Sequence, residues 1–81
     1  MKVVFTEPFL RRFKKISEIT KKKFEKQLVS LLKDIKYPSL RAKKYDEKRN
    51  IWQARVNSSY RFYFKIEGNS YIILNILKHL K

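Results

Sequence analysis

The sequence predicts an α+β domain: a short N-terminal strand, an αα-hairpin, then a three-stranded antiparallel meander, with the helices packed on one sheet face. Three observations lead there. Apolar residues recur at helical spacing in the first half, as in Phe9, Phe13 and Ile16. They alternate singly in the last third, as in Tyr60, Phe62 and Phe64. Turn residues punctuate that third at Asn57-Ser58-Ser59 and Gly68-Asn69-Ser70.

Each element follows in order. Met1 to Thr6 is rich in β-branched residues and reads as a strand. Thr6 followed by Pro8 is a helix-start signal: the hydroxyl caps free N–H groups, and proline suits the first turn. The first helix then runs from about Pro8 to Ile16, with Arg11, Arg12, Lys14 and Lys15 mostly on its outer side. Ser17 caps a second helix, from about Glu18 to Ile35. Phe24, Leu28, Leu31, Leu32 and Ile35 form its apolar stripe, and the intervening lysines make the outer face basic. Proline at 38 disfavours helix at Tyr37 and ends the element. Lys36 to Asn50 is polar and basic, and reads as an ordered loop anchored by Leu40 and Tyr45.

The meander follows from alternation. Trp52, Ala54 and Val56 must share the core face with Tyr60, Phe62 and Phe64, because a slip of one residue would expose them all. With Asn57 to Ser59 as the loop, Arg55 then faces Arg61. The same logic in the next hairpin pairs Ile66 with Ile72, Tyr63 with Asn75 and Arg61 with Leu77. The face away from the helices thus gathers Arg55, Arg61, Tyr63, Lys65, Asn75 and His79. Like charges directly opposite cost up to about 1 kcal/mol. An anion between two guanidinium forks reverses that cost, since arginine grips phosphate or carboxylate in bidentate fashion. Basic residues on a solvated strand face are the plainer explanation.

Composition narrows the function classes. The 81 residues make one domain, residues 1–81, and a 43% apolar content argues for a packed core. There is no cysteine, which excludes disulfides and thiolate metal ligands, and the single His79 excludes sites needing two imidazoles. No metal or cofactor is expected. The 21 Lys and Arg against 7 Asp and Glu leave a formal charge of +14, a field suited to polyanions. The longest apolar run, Tyr71 to Leu74, is too short to span a bilayer, and the N-terminus lacks a signal-peptide pattern. A cytoplasmic protein with no membrane partner is expected.

At the same residues the chain resembles the RelE/ParE superfamily, the toxins of type II toxin–antitoxin modules. The matching features are the first strand and αα-hairpin, Pro38-Ser39-Leu40-Arg41 with Lys43-Lys44, and Ile51-Trp52 with Ala54-Arg55-Val56. Tyr60-Arg61-Phe62-Tyr63 and the final Lys78-His79 complete them. The resemblance covers essentially the whole chain. RelE-like members cut mRNA in the ribosomal A site, whereas ParE-like members share the fold and poison DNA gyrase. The RelE-like branch implies a metal-independent endoribonuclease that inhibits translation, with the ribosome, mRNA and a cognate antitoxin as partners.

That chemistry sends the ribose 2′-hydroxyl against the adjacent phosphorus. It needs a base, cations for the developing charge, and an acid for the leaving oxygen. By resemblance, Arg61 binds the phosphate, Arg55 is the second cation, and His79 is the general acid. Lys44 or Glu47 stands nearest the place of the base. Arg41, Lys43, Tyr63, Lys65, Lys78 and Lys81 are the expected RNA-binding residues. Many relatives carry a stacking aromatic just after the last strand; this sequence has Leu80-Lys81, so stacking falls to Tyr63 or Tyr45 or is absent. The basic helix faces and exposed Ile73 and Leu77 are the expected antitoxin docking surface. Gyrase inhibition, non-catalytic RNA binding and a degenerate toxin that only binds its antitoxin are the competing readings.

Overall fold

The computed structural model describes residues 1–79. Five strands, β1 (Lys2–Phe5), β2 (Lys43–Asp46), β3 (Ile51–Arg55), β4 (Tyr60–Glu67) and β5 (Ser70–Lys78), form one sheet ordered β1-β5-β4-β3-β2. The helices are α1 (Glu7–Phe13) and α2 (Glu18–Lys33), followed by a 3-10 turn at Pro38–Leu40. β1 pairs parallel with β5, and all other pairings are antiparallel. The α+β architecture with both helices on one sheet face is as expected from sequence, and the meander gains a fourth strand. β2 lies within the stretch read as a loop: its KKYD lacks an apolar alternation, and pairing with β3 makes it a strand.

Both helix starts form where the capping residues stand. The Ser17 hydroxyl accepts from the Thr20 N–H at 3.2 Å. Thr6 caps α1 more loosely, with Phe9 N at 3.5 Å, because its hydroxyl also reaches the carbonyls of Ile73 and Leu74 at 2.9 and 3.0 Å. α2 buries Thr20, Phe24, Gln27 and Leu31, a stripe rotated from the one expected, so Leu32 is exposed.

The core is a run of aromatic contacts. Phe9 stacks on Phe13 and packs against Phe24, which meets Phe62 edge-on at 5.1 Å between ring centroids. Phe62 continues to Phe64, and Phe64 to Tyr71 and Trp52. Such pairs add roughly 0.5–1.5 kcal/mol each beyond their buried area, which matters in a domain this small. Leu40, Val56, Ile73 and Ile76 complete the core, so Leu40 is an anchor as expected. Tyr45 is not, being 61% exposed.

The β3–β4 register matches the deduction: Ala54 faces Phe62 and Arg55 faces Arg61. In β4–β5, Tyr63 faces Asn75 and Arg61 faces Leu77 as expected, but Ile66 faces Tyr71 instead of Ile72. Two compensating local features explain this. Gly68 sits at a φ of +55°, which permits a two-residue turn and brings Glu67 opposite Ser70. A bulge at Leu74 then restores the register, since Tyr63 faces Asn75 while Phe64 faces Ile73. Ile73 is therefore wholly buried and is no docking residue, while Leu77 stays half-buried on the open face.

Among the described residues no helix is long and apolar enough to cross a membrane.

Candidate functional site

Strand pairing puts Gln53, Arg55, Arg61 and Tyr63 on the sheet face turned away from α2. The 3-10 turn delivers Arg41 to the same place, β2 delivers Lys43, and the end of β5 delivers His79. These six elements of chemistry, Tyr63 excepted and Gln53 included, line one cleft of about 200 Å³. Of the expected site residues, the cleft thus brings together Arg41, Lys43, Arg55, Arg61 and His79.

The cleft is held by backbone contacts rather than by counter-charges. Arg61 Nη1 donates to the carbonyls of Asn57 at 2.7 Å and Tyr60 at 3.0 Å, which leaves its other nitrogens free to donate. The Asn57 carboxamide oxygen accepts from the N–H groups of Ser59 and Tyr60, both at 2.8 Å, fixing the turn that receives Arg61. The His79 N–H donates to the Ser59 carbonyl at 2.6 Å, tying the end of β5 to the same turn. Arg41 holds a left-handed backbone at φ 47°, closing the 3-10 turn. A non-glycine residue in that region costs of order 1 kcal/mol or more, a strain that clusters at functional sites.

Behind the cleft lies a residue that periodicity alone did not single out. Gln27 is 2% exposed, in the middle of the buried face of α2. Its Nε2 donates to the carbonyls of Arg55 at 2.8 Å and Ser39 at 3.0 Å, and its Oε1 accepts from the Ser39 hydroxyl at 3.1 Å. One side chain thus fixes the Arg55 end of β3 and the 3-10 turn that leads into Arg41. The signal was available: Gln27 lies between Phe24 and Leu31 at spacings of three and four. Gln53 was also missed, although its alternation with Ala54 places it beside Arg55; its Nε2 donates to the Tyr63 hydroxyl at 3.0 Å.

The electrostatics are one-sided. Burial, then the neighbouring Arg55 charge, lowers the Arg61 pKa below its ordinary value; Tyr63 counteracts and Arg41 adds to the fall. Arginine nevertheless keeps its proton at physiological pH. Among the described residues the ion pairs are Lys21–Glu18, Lys44–Glu47 and Arg49–Asp46, so no carboxylate neutralises the cleft. A cluster of confined, unpaired cations is what a phosphate or carboxylate would complete.

Other expected site residues lie elsewhere. Lys44 is opposite Trp52, on the other sheet face, with its Nζ 5.3 Å from the Trp52 ring centre and 3.6 Å from Glu47. Period-two alternation separates it from Lys43. Lys78 sits opposite Tyr60 and lines a separate hollow with Arg12 and Lys15. Lys65 shares the open face but stands farther along β4, outside the cleft. Tyr63 borders the cleft and meets Tyr45 edge-on at 5.0 Å. Lys81 lies outside the described residues.

The fold and the cleft define a class: a small, strongly basic α+β domain with an open cationic sheet face. A family model described as the ParE toxin of type II toxin–antitoxin system, parDE, matches residues 3–81, and the chain belongs to that family. It is a toxin of the RelE/ParE type. Comparison with curated protein sequences finds no significant match. Among solved structures, the YoeB/ParE toxin from Agrobacterium tumefaciens superposes with a TM-score of 0.82 at 13% identity, covering 99% of this chain and 100% of that one. The YoeB dimer from Staphylococcus aureus gives 0.80 at 15% identity, covering 100% and 98%. A chain of the intact Escherichia coli RelBE toxin–antitoxin complex gives 0.72 at 19% identity, covering 99% and 98%. At these identities the likeness is one of fold.

Proposed function

We propose that this toxin is an mRNA endoribonuclease that works on the ribosome in the cytoplasm and is neutralised by a cognate antitoxin. The observation that carries the reading is the cleft of Arg41, Lys43, Arg55, Arg61 and His79, with no carboxylate partner among the described residues. Cleavage by a 2′-hydroxyl builds negative charge on the phosphate oxygens, and fixed guanidinium donors in a confined site stabilise that charge. Arg61 is already anchored through Nη1 and presents its remaining donors. His79 can hand a proton to the leaving 5′ oxygen, and Lys43 is the other cleft residue able to exchange one. Lys44 and Glu47 are paired with each other outside the cleft, so this reading assigns neither as the base.

The test is cleavage of mRNA on programmed ribosomes. Wild type is expected to cut, Arg61→Ala to lose about 100-fold or more in rate, and His79→Ala to lose a comparable factor. Unchanged cutting by Arg61→Ala would sink the reading. The match to the ParE family model favours a second reading, inhibition of DNA gyrase. Loss of supercoiling in a purified gyrase assay, with mRNA left intact, would select it.

A further inference from the structure

Two hollows lie outside the cleft, and Asn75 of the open face lines both. The first, about 310 Å³, is an apolar groove lined by Tyr45, Ile51, Tyr63, Leu74 and Leu77, with Pro8 and Asn75 at one end. The second, about 370 Å³, is lined by Arg11, Arg12 and Lys15 of the α1 region together with the same Pro8 and Asn75. The groove therefore runs into the second hollow. At its other side it adjoins the cationic cleft: Tyr63 is hydrogen-bonded to Gln53 of the cleft, and Leu77 faces Arg61 across the strands. Cations, then tyrosines and aliphatics, then cations follow one another across the sheet.

This arrangement has a local cause. β1 ends at Phe5 and pairs only with Ser70–Ile73, so the second half of β5 has no strand beyond it, and α1 packs against β5. The turn of chain at Thr6 is pinned to the carbonyls of Ile73 and Leu74 at the bulge, and Arg11, Arg12 and Lys15 that follow it line the hollow beside Asn75. Arg11, Arg12 and Lys15 are exposed, and none pairs with a carboxylate among the described residues.

We infer that Arg11, Arg12 and Lys15 form a second anion site, and that one single-stranded RNA fills both sites with its bases over Tyr45 and Tyr63. This rests on the reading of the cleft as an RNA phosphate site. An apolar, π-rich floor flanked by cations matches a strand in which phosphates alternate with flat bases, and base–aromatic stacking tolerates any sequence. Strands lie about 4.8 Å apart, so the two sites are separated by two or three strand spacings, on the order of 10–15 Å. A few nucleotides bridge that distance, whereas a dinucleotide does not occupy both ends.

The experiment measures binding of fully 2′-O-methylated RNA, which cannot be cut, by fluorescence anisotropy across a salt series. The variant carries Arg11→Gln, Arg12→Gln and Lys15→Gln; the control carries Lys22→Gln, Lys26→Gln and Lys33→Gln, exposed positions on α2 with the same charge removed. The α1 variant is expected to bind a decanucleotide at least about tenfold more weakly, with the log–log salt slope smaller by roughly 2. Its affinity for a dinucleotide should stay at that of the control. Equal losses in variant and control, or no loss for the decanucleotide, overturn the second site. So does a variant that keeps its RNA affinity but loses an acidic amphipathic peptide, which would assign the surface to a protein. Failure of the cleft reading looks different: Arg61→Ala would then leave the affinity for both RNAs unchanged.

Discussion

Gln27 Nε2 donates to the main-chain oxygen of Arg55 at 2.8 Å, joining the middle of α2 to the end of the strand that carries one half of the cationic cleft. The same nitrogen reaches Ser39, two residues before Arg41. A helix on one side of the sheet thereby positions cations on the other. Replacing Gln27 with Leu leaves the carbonyls of Arg55 and Ser39 without that donor. Each buried polar group so orphaned costs about 1–3 kcal/mol, so urea unfolding should show a loss of roughly 2–4 kcal/mol. Gln27→Met, equally unable to donate, should behave alike.

Arg55 and Arg61 face each other without a counter-charge, so the apo protein bears their repulsion. Arg55→Gln is expected to raise stability by up to about 1 kcal/mol at low ionic strength. The gain should shrink as salt rises, because screening weakens the repulsion it relieves. The same substitution should weaken binding of a 2′-O-methylated oligonucleotide. Opposite signs in the two measurements are the signature of a charge pair kept for its ligand.

Adjacent lysines should differ in effect. Lys43 lines the cleft, while Lys44 lies over Trp52 on the other face. Lys43→Ala should reduce oligonucleotide affinity several-fold, about the value of one lost phosphate contact. Lys44→Ala should leave affinity nearly unchanged and cost about 0.5–1 kcal/mol of stability through the lost cation–π contact. Equal losses of affinity would contradict the assigned faces.

Thr6 acts at three places: it caps α1, and its hydroxyl meets the carbonyls on both sides of the β5 bulge. Thr6→Val keeps the shape and removes the hydroxyl. A stability loss of about 1–2 kcal/mol is expected from thermal unfolding. Hydrogen exchange should quicken at Asn75 and Ile76 before it does in β3, since the bulge is where the bonding is lost.

The first hairpin was legible because alternation is a strong local signal. Trp52, Ala54, Phe62 and Phe64 have one way to share a core, and that forces Arg55 opposite Arg61. The helix starts at Thr6 and Ser17 were legible for a similar reason, since capping chemistry acts within three or four residues. β2 was not legible: Lys43 to Asp46 has no apolar rhythm, and only the free edge of β3 makes a strand of it. The bulge at Leu74 was hidden too, because Tyr71-Ile-Ile-Leu74 is apolar at every position and so does not mark which side is buried.

The sequence by itself determined the α+β order, the aromatic core, the facing arginines and a charge that calls for a polyanion. Those are consequences of side-chain chemistry at fixed local spacing. Tertiary structure decided that Arg41 and Lys43 join those arginines and His79 while Lys44 and Lys78 do not, and that buried Gln27 holds the Arg55 end of β3 and the turn before Arg41. Such convergence depends on strand register, one bulge and one left-handed residue at Arg41. These are settled by bonds between segments far apart in the chain, where local periodicity carries no information.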